Sequence, residues 1–446
     1  NNALFNDVNA FTFGPATISG SLTITAAGLI DDAGVIAVTG TTSLTAGAAN
    51  DVDWNDFGHD FGGAVSVVLA NDVFLNDVNS IDLGASTLTG NLTVQGGGNP
   101  GNNITDSGAL SIAGTTTLIA GAGSVTLDNA NDFVGAVTVT SANQATLNDV
   151  NALVFGGVSN VTGNLTVTAG GAITDLAGTS MTVGGAASYT TTAGGILLAD
   201  NAADILTVGG AATFTAAGQA ISVGAAGLVD SGAAVNLGTL TFTGAVVTVS
   251  ENSSMTLFGA STAAGSTATL TSETGAVADS GGAGDTVTAT RLAVTASTGI
   301  GTAGNTLSTF VGTLEATTAT GGVFVTNVGA LTLGDVNSAN GISVLVTAAG
   351  DVTITALSPL TVAADVFAPG NITLTAGEIA NAPLCTDDLT VNGFVTVQST
   401  AGNVTLRAGD DVILQADSNV IAFNNVTIQA GFGDLDGNGS VTLDGT

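Results

Sequence analysis

Residues 147–175 read LNDVNALVFGGVSNVTGNLTVTAGGAITD, and three elements of this stretch occur three times in the chain. Asn-Asp-Val-Asn stands at Asn6–Asn9, Asn76–Asn79 and Asn148–Asn151. Ser/Thr-Gly-Ser/Asn-Leu-Thr-Ile/Val follows at Ser19–Ile24, Thr89–Val94 and Thr162–Val167. Ile-x-Asp comes next, at Ile30–Asp32, Ile104–Asp106 and Ile173–Asp175. Successive Asn-Asp-Val-Asn copies start 70 and 72 residues apart. Repetition at a fixed period is the mark of an array in which each unit buries its apolar face on its neighbours.

Working outward, a shorter pulse runs through the rest. Runs of four to seven residues rich in Val, Ile, Leu and Thr end on Gly, Ala or Asp, as in LTVTAGG from Leu165, TFTAAG from Thr213 and NITLTAGE from Asn371. Four to seven residues is strand length, and β-branched side chains suit a pleated surface. The pulse recurs every ~20 to 30 residues, which suits one turn of a three-faced β-helix, with strands stacked ~4.8 Å apart. At about 24 residues per turn the chain makes roughly 18 turns, a rod on the order of 90 Å long. A copy of about 72 residues is then about three turns. The expected organisation is one continuous β-solenoid over 1–446: regular long repeats over 1–235, degenerate repeats over 236–355, and less regular turns with longer corner loops over 356–446. Pro359, Pro369, Pro383 and Cys385 gather in that last part.

Charge narrows the partners. There are 35 acidic residues against Arg291 and Arg407, a net charge of −33. Nucleic acid and anionic membranes need Lys and Arg to neutralise phosphate, so both are excluded as partners. No apolar run approaches the ~20 residues of a membrane-spanning helix. Acids at this density are compatible with calcium or other counter-ions. Cys385 is the only cysteine, which rules out an intrachain disulfide; a small buried hydrophobe is its expected role. The chain opens inside a repeat, as a mature product or a piece of a longer chain would.

Departures from the repeat mark the candidate sites. Residues 49–62 hold the only Trp and the only His, within ANDVDWNDFGHDFG. Asp51, Asp53, Trp54, Asp56, His59 and Asp60 read as a loop contacting a glycan or partner, with Trp54 as a stacking platform; the competing reading is a long corner whose aromatics cover the core. A second departure is the Gly-rich insertion Gly96–Asn102. The ending Asp434-Leu-Asp436-Gly-Asn438-Gly-Ser440-Val-Thr-Leu-Asp444 resembles a calcium loop, with oxygens at positions 1, 3 and 5 and Gly at 6, although its last acid falls at position 11 and neither flank has a helical pattern. Asn-x-Ser/Thr triplets start at Asn91, Asn103, Asn160, Asn164, Asn252, Asn371, Asn403, Asn425 and Asn438. Catalytic signatures are weak. A uronate lyase needs cations against its substrate and a base, and a glycosidase needs two placed carboxylates; the acids at 51–60 are the only distinctive cluster.

The phrases GNLTVTAGGAITD, GTTTLIAGAG, NDFVGAVTVT and ATLNDVNALVFGG resemble the repeat region of filamentous haemagglutinin-like exoproteins. The likeness is clearest over residues 1–235. It implies an all-β, right-handed parallel β-helix on the cell surface. The expected role is non-enzymatic and extracellular: an adhesive or structural rod, whose partners are a host or neighbouring cell surface, matrix glycans, or copies of itself joined through open ends. A carbohydrate-active β-helix enzyme is the remaining alternative.

Overall fold

The computed structural model describes residues 1–99, 101–226, 229–336, 346–378, 387–433 and 439–444. Among them every named element is a β-strand and none is a helix. The strands form a parallel β-solenoid of about 18 turns with three strands per turn. The chain divides into two compact units, one of residues 1–226 with 231–234 and one of residues 227–230 with 235–446.

In the first unit, β1 (Ala3–Asn6), β2 (Phe11–Phe13) and β3 (Ala16–Ile18) make one turn. β4 (Leu22–Thr25), β5 (Ile30–Asp32) and β6 (Ile36–Val38) make the next, followed by β7 (Thr42–Thr45), β8 (Val52–Trp54) and β9 (Asp60–Phe61). Each strand pairs in parallel with its counterpart one turn on: Ala3 with Leu22, Leu22 with Thr42, Ile30 with Val52, Val38 with Phe61. Alternate residues point inward, so Leu22, Ile24, Ile30 and Ile36 are fully buried while Thr23 and Asp31 face out. The second unit follows the same rule. Its outward threonines Thr353, Thr373, Thr405 and Thr427 are mutual register partners over four turns. Inward residues of the same strands, Ile354, Leu374 and Leu406, are sealed from solvent.

The long repeat is not a whole number of turns. After β10 (Val65–Leu69), β11 (Val73–Asn76) leads into the second Asn-Asp-Val-Asn, as β1 leads into the first. β1 belongs to the column β1–β4–β7–β10, whereas β11 pairs with β8 in the column of β2 and β5. The third equivalent strand, Ala145–Asp149, pairs with Val125–Leu127 and Leu165–Ala169, in the remaining column that runs back through Ile104 and Ile81. One copy therefore holds ten strands, three turns and a third, where the sequence pulse suggests about three. Equivalent strands of successive copies lie on different faces, so a copy does not stack on its own equivalent.

Glycines let neighbouring corners approach. A Cβ on Gly114 would stand 2.5 Å from the carbonyl carbon and oxygen of Gly90 one turn below. Gly114→Ala must push two turns apart, so it is expected to destabilise by about 1–3 kcal/mol. At Gly304 a Cβ meets open space, and Gly304→Ala is expected to be near-neutral. Thermal melts of the two variants check the contrast.

Candidate functional site

The 49–62 segment divides by strand parity. On β8, Val52 and Trp54 point into the solenoid and Asp53 points out, because successive side chains alternate. Trp54 is fully buried and stacks on Phe61, with ring centres 5.6 Å apart and planes 9° apart. His59 is also fully buried, its ring centre 6.0 Å from that of Trp54. Its Nδ1 accepts a hydrogen bond from the Ile36 backbone N–H at 3.0 Å, and its Nε2 lies 3.6 Å from Asp32 Oδ2. Burial lowers the His59 pKa from 6.5, and the carboxylates of Asp32 and Asp56 oppose that shift. This corrects the expected surface loop at two positions. Neither Trp54 nor His59 is accessible to a glycan, because the apolar rings close the corner over the core. The competing reading, aromatics covering the core, describes the segment.

The acids of the same segment separate. Asp51 and Asp53 line an outer groove of about 480 Å³ with Leu29, Asp72, Phe74, Asn91 and Thr93. Phe74 is the register partner of Asp53, so a half-buried aromatic stands beside that carboxylate on the outer face. Burial raises the Asp53 pKa; Asn55 lowers it, and crowding by Asp31, Asp32 and Asp51 raises it further. Asp56 accepts from the Gly58 N–H at 3.1 Å, and Asp60 from Asn79 Nδ2 at 3.1 Å. Phe57, which is 68% exposed, lines a smaller groove with Gln95, Gly96, Gly97, Gly98 and Asn99. Two sequence departures read separately thus line one groove from two turns apart, with Asp77 and Val78 of the intervening corner between them.

The repeat motifs resolve into clasps between turns. In Asn-Asp-Val-Asn the buried Asp77 accepts from the Asn79 N–H at 2.8 Å and from the Phe61 N–H at 3.0 Å. Asp149 repeats this with Asn151 at 2.8 Å and Phe133 at 3.2 Å, and Asn151 Nδ2 reaches Asp132 at 3.1 Å. The acid of Ile-x-Asp holds the following turn: Asp32 accepts from Asn55, Asp106 from Asp128 and Asn129, and Asp175 from Ala199. The Asn of Asn-x-Thr is a corner rung. Asn371 Oδ1 accepts from both the backbone and the side chain of Asn403, and Asn425 Nδ2 donates to Asn403 Oδ1 at 3.2 Å. The frequent Asn-x-Thr triplets follow from that geometry: Asn at the corner, a buried apolar residue next, an outward Thr after it.

Asp149→Ala removes an acceptor from the buried Phe133 N–H. A buried donor left without a partner costs about 1–3 kcal/mol, and that loss of stability is the expected result at pH 5, where the native carboxyl is largely protonated. Chemical denaturation at that pH measures it.

One acidic group escaped the sequence reading. Asp175, Asp200 and Asp204 carry carboxylate oxygens within 4.8 Å of one another, close enough to share one cation. Protein donors already serve all three: Ala199 N–H for Asp175, Asn201 Nδ2 for Asp200, and Gly178, Thr179 and Asn201 N–H groups for Asp204. Burial lifts the Asp175 pKa to about 7, with help from Asp204 and Asp200. The signal available in sequence was the Ile-x-Asp repeat, which gives Asp175 but not the acids a turn later. Of the expected calcium loop, Asp434, Asp436 and Asn438 lie outside the described residues, as does Cys385. Ser440 and Asp444 are exposed; the Ser440 N–H donates to Asp411 Oδ1, and the strand Val441–Leu443 between them pairs with Val412–Leu414.

Residues 1–68, 70–140 and 142–206 each match a family described as repeats of unknown function (DUF5649). Each match starts just ahead of an Asn-Asp-Val-Asn, which supports a repeat β-helix protein. No curated protein and no solved structure matches the chain.

Proposed function

We propose that the chain is a non-enzymatic, extracellular scaffold of the filamentous haemagglutinin-like kind, which presents surface contacts for attachment to cells or matrix glycans. One observation carries this reading: the repeated acids and amides are spent on holding one turn to the next, as in the Asp77, Asp149 and Asp106 clasps. Residues repeated for stacking specify a surface that can be extended by copying, which is what a display scaffold needs. The groove beside Phe74 is the contact offered: an aromatic face for a sugar ring, flanked by Asp51, Asp53 and Asp72 as hydroxyl acceptors. The high negative charge keeps such scaffolds apart in solution.

Beads coated with the purified chain test the proposal against cultured cells and a panel of immobilised glycans. Binding that Phe74→Ala abolishes is the expected result. Beads that adhere to neither surface would sink it. End-to-end polymers of the free chain under the electron microscope would favour self-assembly, and turnover of a glycan would favour an enzyme.

A further inference from the structure

We propose that His59 is an acid-sensitive pin: protonation of its imidazole releases the 55–59 segment and uncovers Trp54, while the rest of the solenoid stays folded. The geometry fixes the ring's charge state. Nδ1 accepts the Ile36 N–H, so the proton of the neutral ring sits on Nε2, facing Asp32 Oδ2. A second proton can go only onto Nδ1, where it meets another donor. The Ile36 bond is then lost, and a cation stands in a fully buried site beside the stacked Trp54 and Phe61 rings.

Every titratable group around the pin is a carboxyl. Asp32 on β5 lies nearest, Asp56 belongs to the pinned segment, Asp60 is exposed next to His59 in sequence, and Asp77 holds the Phe61 N–H. The attraction of Asp32 and Asp56 for an imidazolium is smaller than the cost of burial, so the His59 pKa lies below its ordinary 6.5. The fold therefore disfavours the charged ring. The strain is absent above the ordinary value and complete once the pH falls below the lowered one. Besides the ring, the 55–59 segment is held by the Asn55 N–H to Asp32 bond at 3.2 Å, the Asn76 side chain on the Asn55 carbonyl, the Val78 N–H to His59 carbonyl bond at 2.8 Å and the Asp56–Gly58 turn.

The response is local because the clasps respond the other way. Asp77 and Asp149 have pKa values raised to about 6 by burial, so acid neutralises and favours them where it disfavours His59. Mild acid tightens the scaffold and opens one corner, the one that carries the chain's single Trp and single His.

The chain holds one His and one Trp, 6.0 Å apart between ring centres, so both ends of the event can be read without labels. On titration from about pH 7 to about pH 5, the imidazole proton resonance should shift with a midpoint below 6.5. Trp54 emission should move from that of a buried to that of a water-exposed indole with the same midpoint, cleavage within 55–59 should rise several-fold, and far-ultraviolet dichroism should stay constant. In His59→Asn an amide oxygen can take the Ile36 N–H without titrating, and the emission should not change although Asp77 is still present. An imidazole midpoint at or above 6.5, emission constant across the imidazole titration, or the same emission change in His59→Asn would each overturn the proposal. If His59→Asn does not fold, the resonance and emission of the native chain decide it.

Discussion

Replacing Tyr189 with alanine is expected to cost about 3–5 kcal/mol, the range for removing a fully buried aromatic side chain. Tyr189 is completely buried and is the register partner of Val167 below and Phe214 above. Its ring stacks on Phe214 at 5.2 Å and 5°, and meets Phe155 edge-on at 6.4 Å. The core of a solenoid turn is narrow, and three inward faces cannot collapse into the space a ring leaves. The loss should spread along the array, since each turn is stabilised chiefly by its neighbours. The hydroxyl matters much less. It donates to Met181 Sδ at 2.8 Å, a weak acceptor, and burial pushes the phenol pKa up so that it stays protonated. Tyr189→Phe should therefore fall within about 1 kcal/mol of the native chain. Paired denaturation curves decide: equal losses in the two variants would show that the hydrogen bond, not the ring, carries the energy.

The second large effect is in pH. Burial raises Asp77 and Asp149 from 3.8 to about 6, Asp175 from 3.8 to about 7 and Glu251 from 4.5 to about 7; backbone N–H bonds, and for Glu251 first the Ser253 hydroxyl, only partly offset the shifts, and Asp60, Asp132 and the Asp200–Asp204 pair add to those of Asp77, Asp149 and Asp175. A carboxyl whose folded pKa is raised contributes stability that is fully present below its unfolded value and is lost as pH rises through the folded one. The window for this chain runs from about 4 to 7, and the melting temperature should be higher at pH 5 than at pH 8. A shift of two units corresponds to roughly 3 kcal/mol per fully buried group, with less for the half-buried Asp175. The melting temperature should therefore move by several degrees, with His59 acting in the opposite direction. Relief of the general acidic repulsion acts in the same direction, so a surface control is needed. Asp149→Asn should flatten the pH dependence and Asp128→Asn, at an exposed position, should not. A melting temperature that falls on acidification would refute the assignment.

Much of the fold is legible in the chain itself. Runs of four to seven β-branched residues closed by Gly or Asp can do little but make short strands, and the strand Leu165–Ala169 follows its text directly. The site is less legible. Trp54 and Asp53 are neighbours in sequence and equally polar-looking in context, yet one is sealed in the core and the other lines a groove. The pairs that do the chemistry are separated by a turn: Phe61 with Asp77, Ile36 with His59, Asp175 with Asp204. No local pattern announces them, because the separation changes with each corner.

Strand length, period and composition suffice for the class of architecture and the acidic, lysine-free surface, whereas the turn length in the long repeats is shorter than the sequence pulse suggests. Which face each copy occupies, and which aromatic is inside, depend on contacts between turns that no stretch of sequence carries alone. A copy of ten strands on a three-faced helix advances by a third of a turn, so Asn-Asp-Val-Asn moves to a new face each time. Parity then assigns every second residue inward, and the starting register that sets parity is fixed by hydrogen bonds to the neighbouring turn, not by the residues of the strand alone.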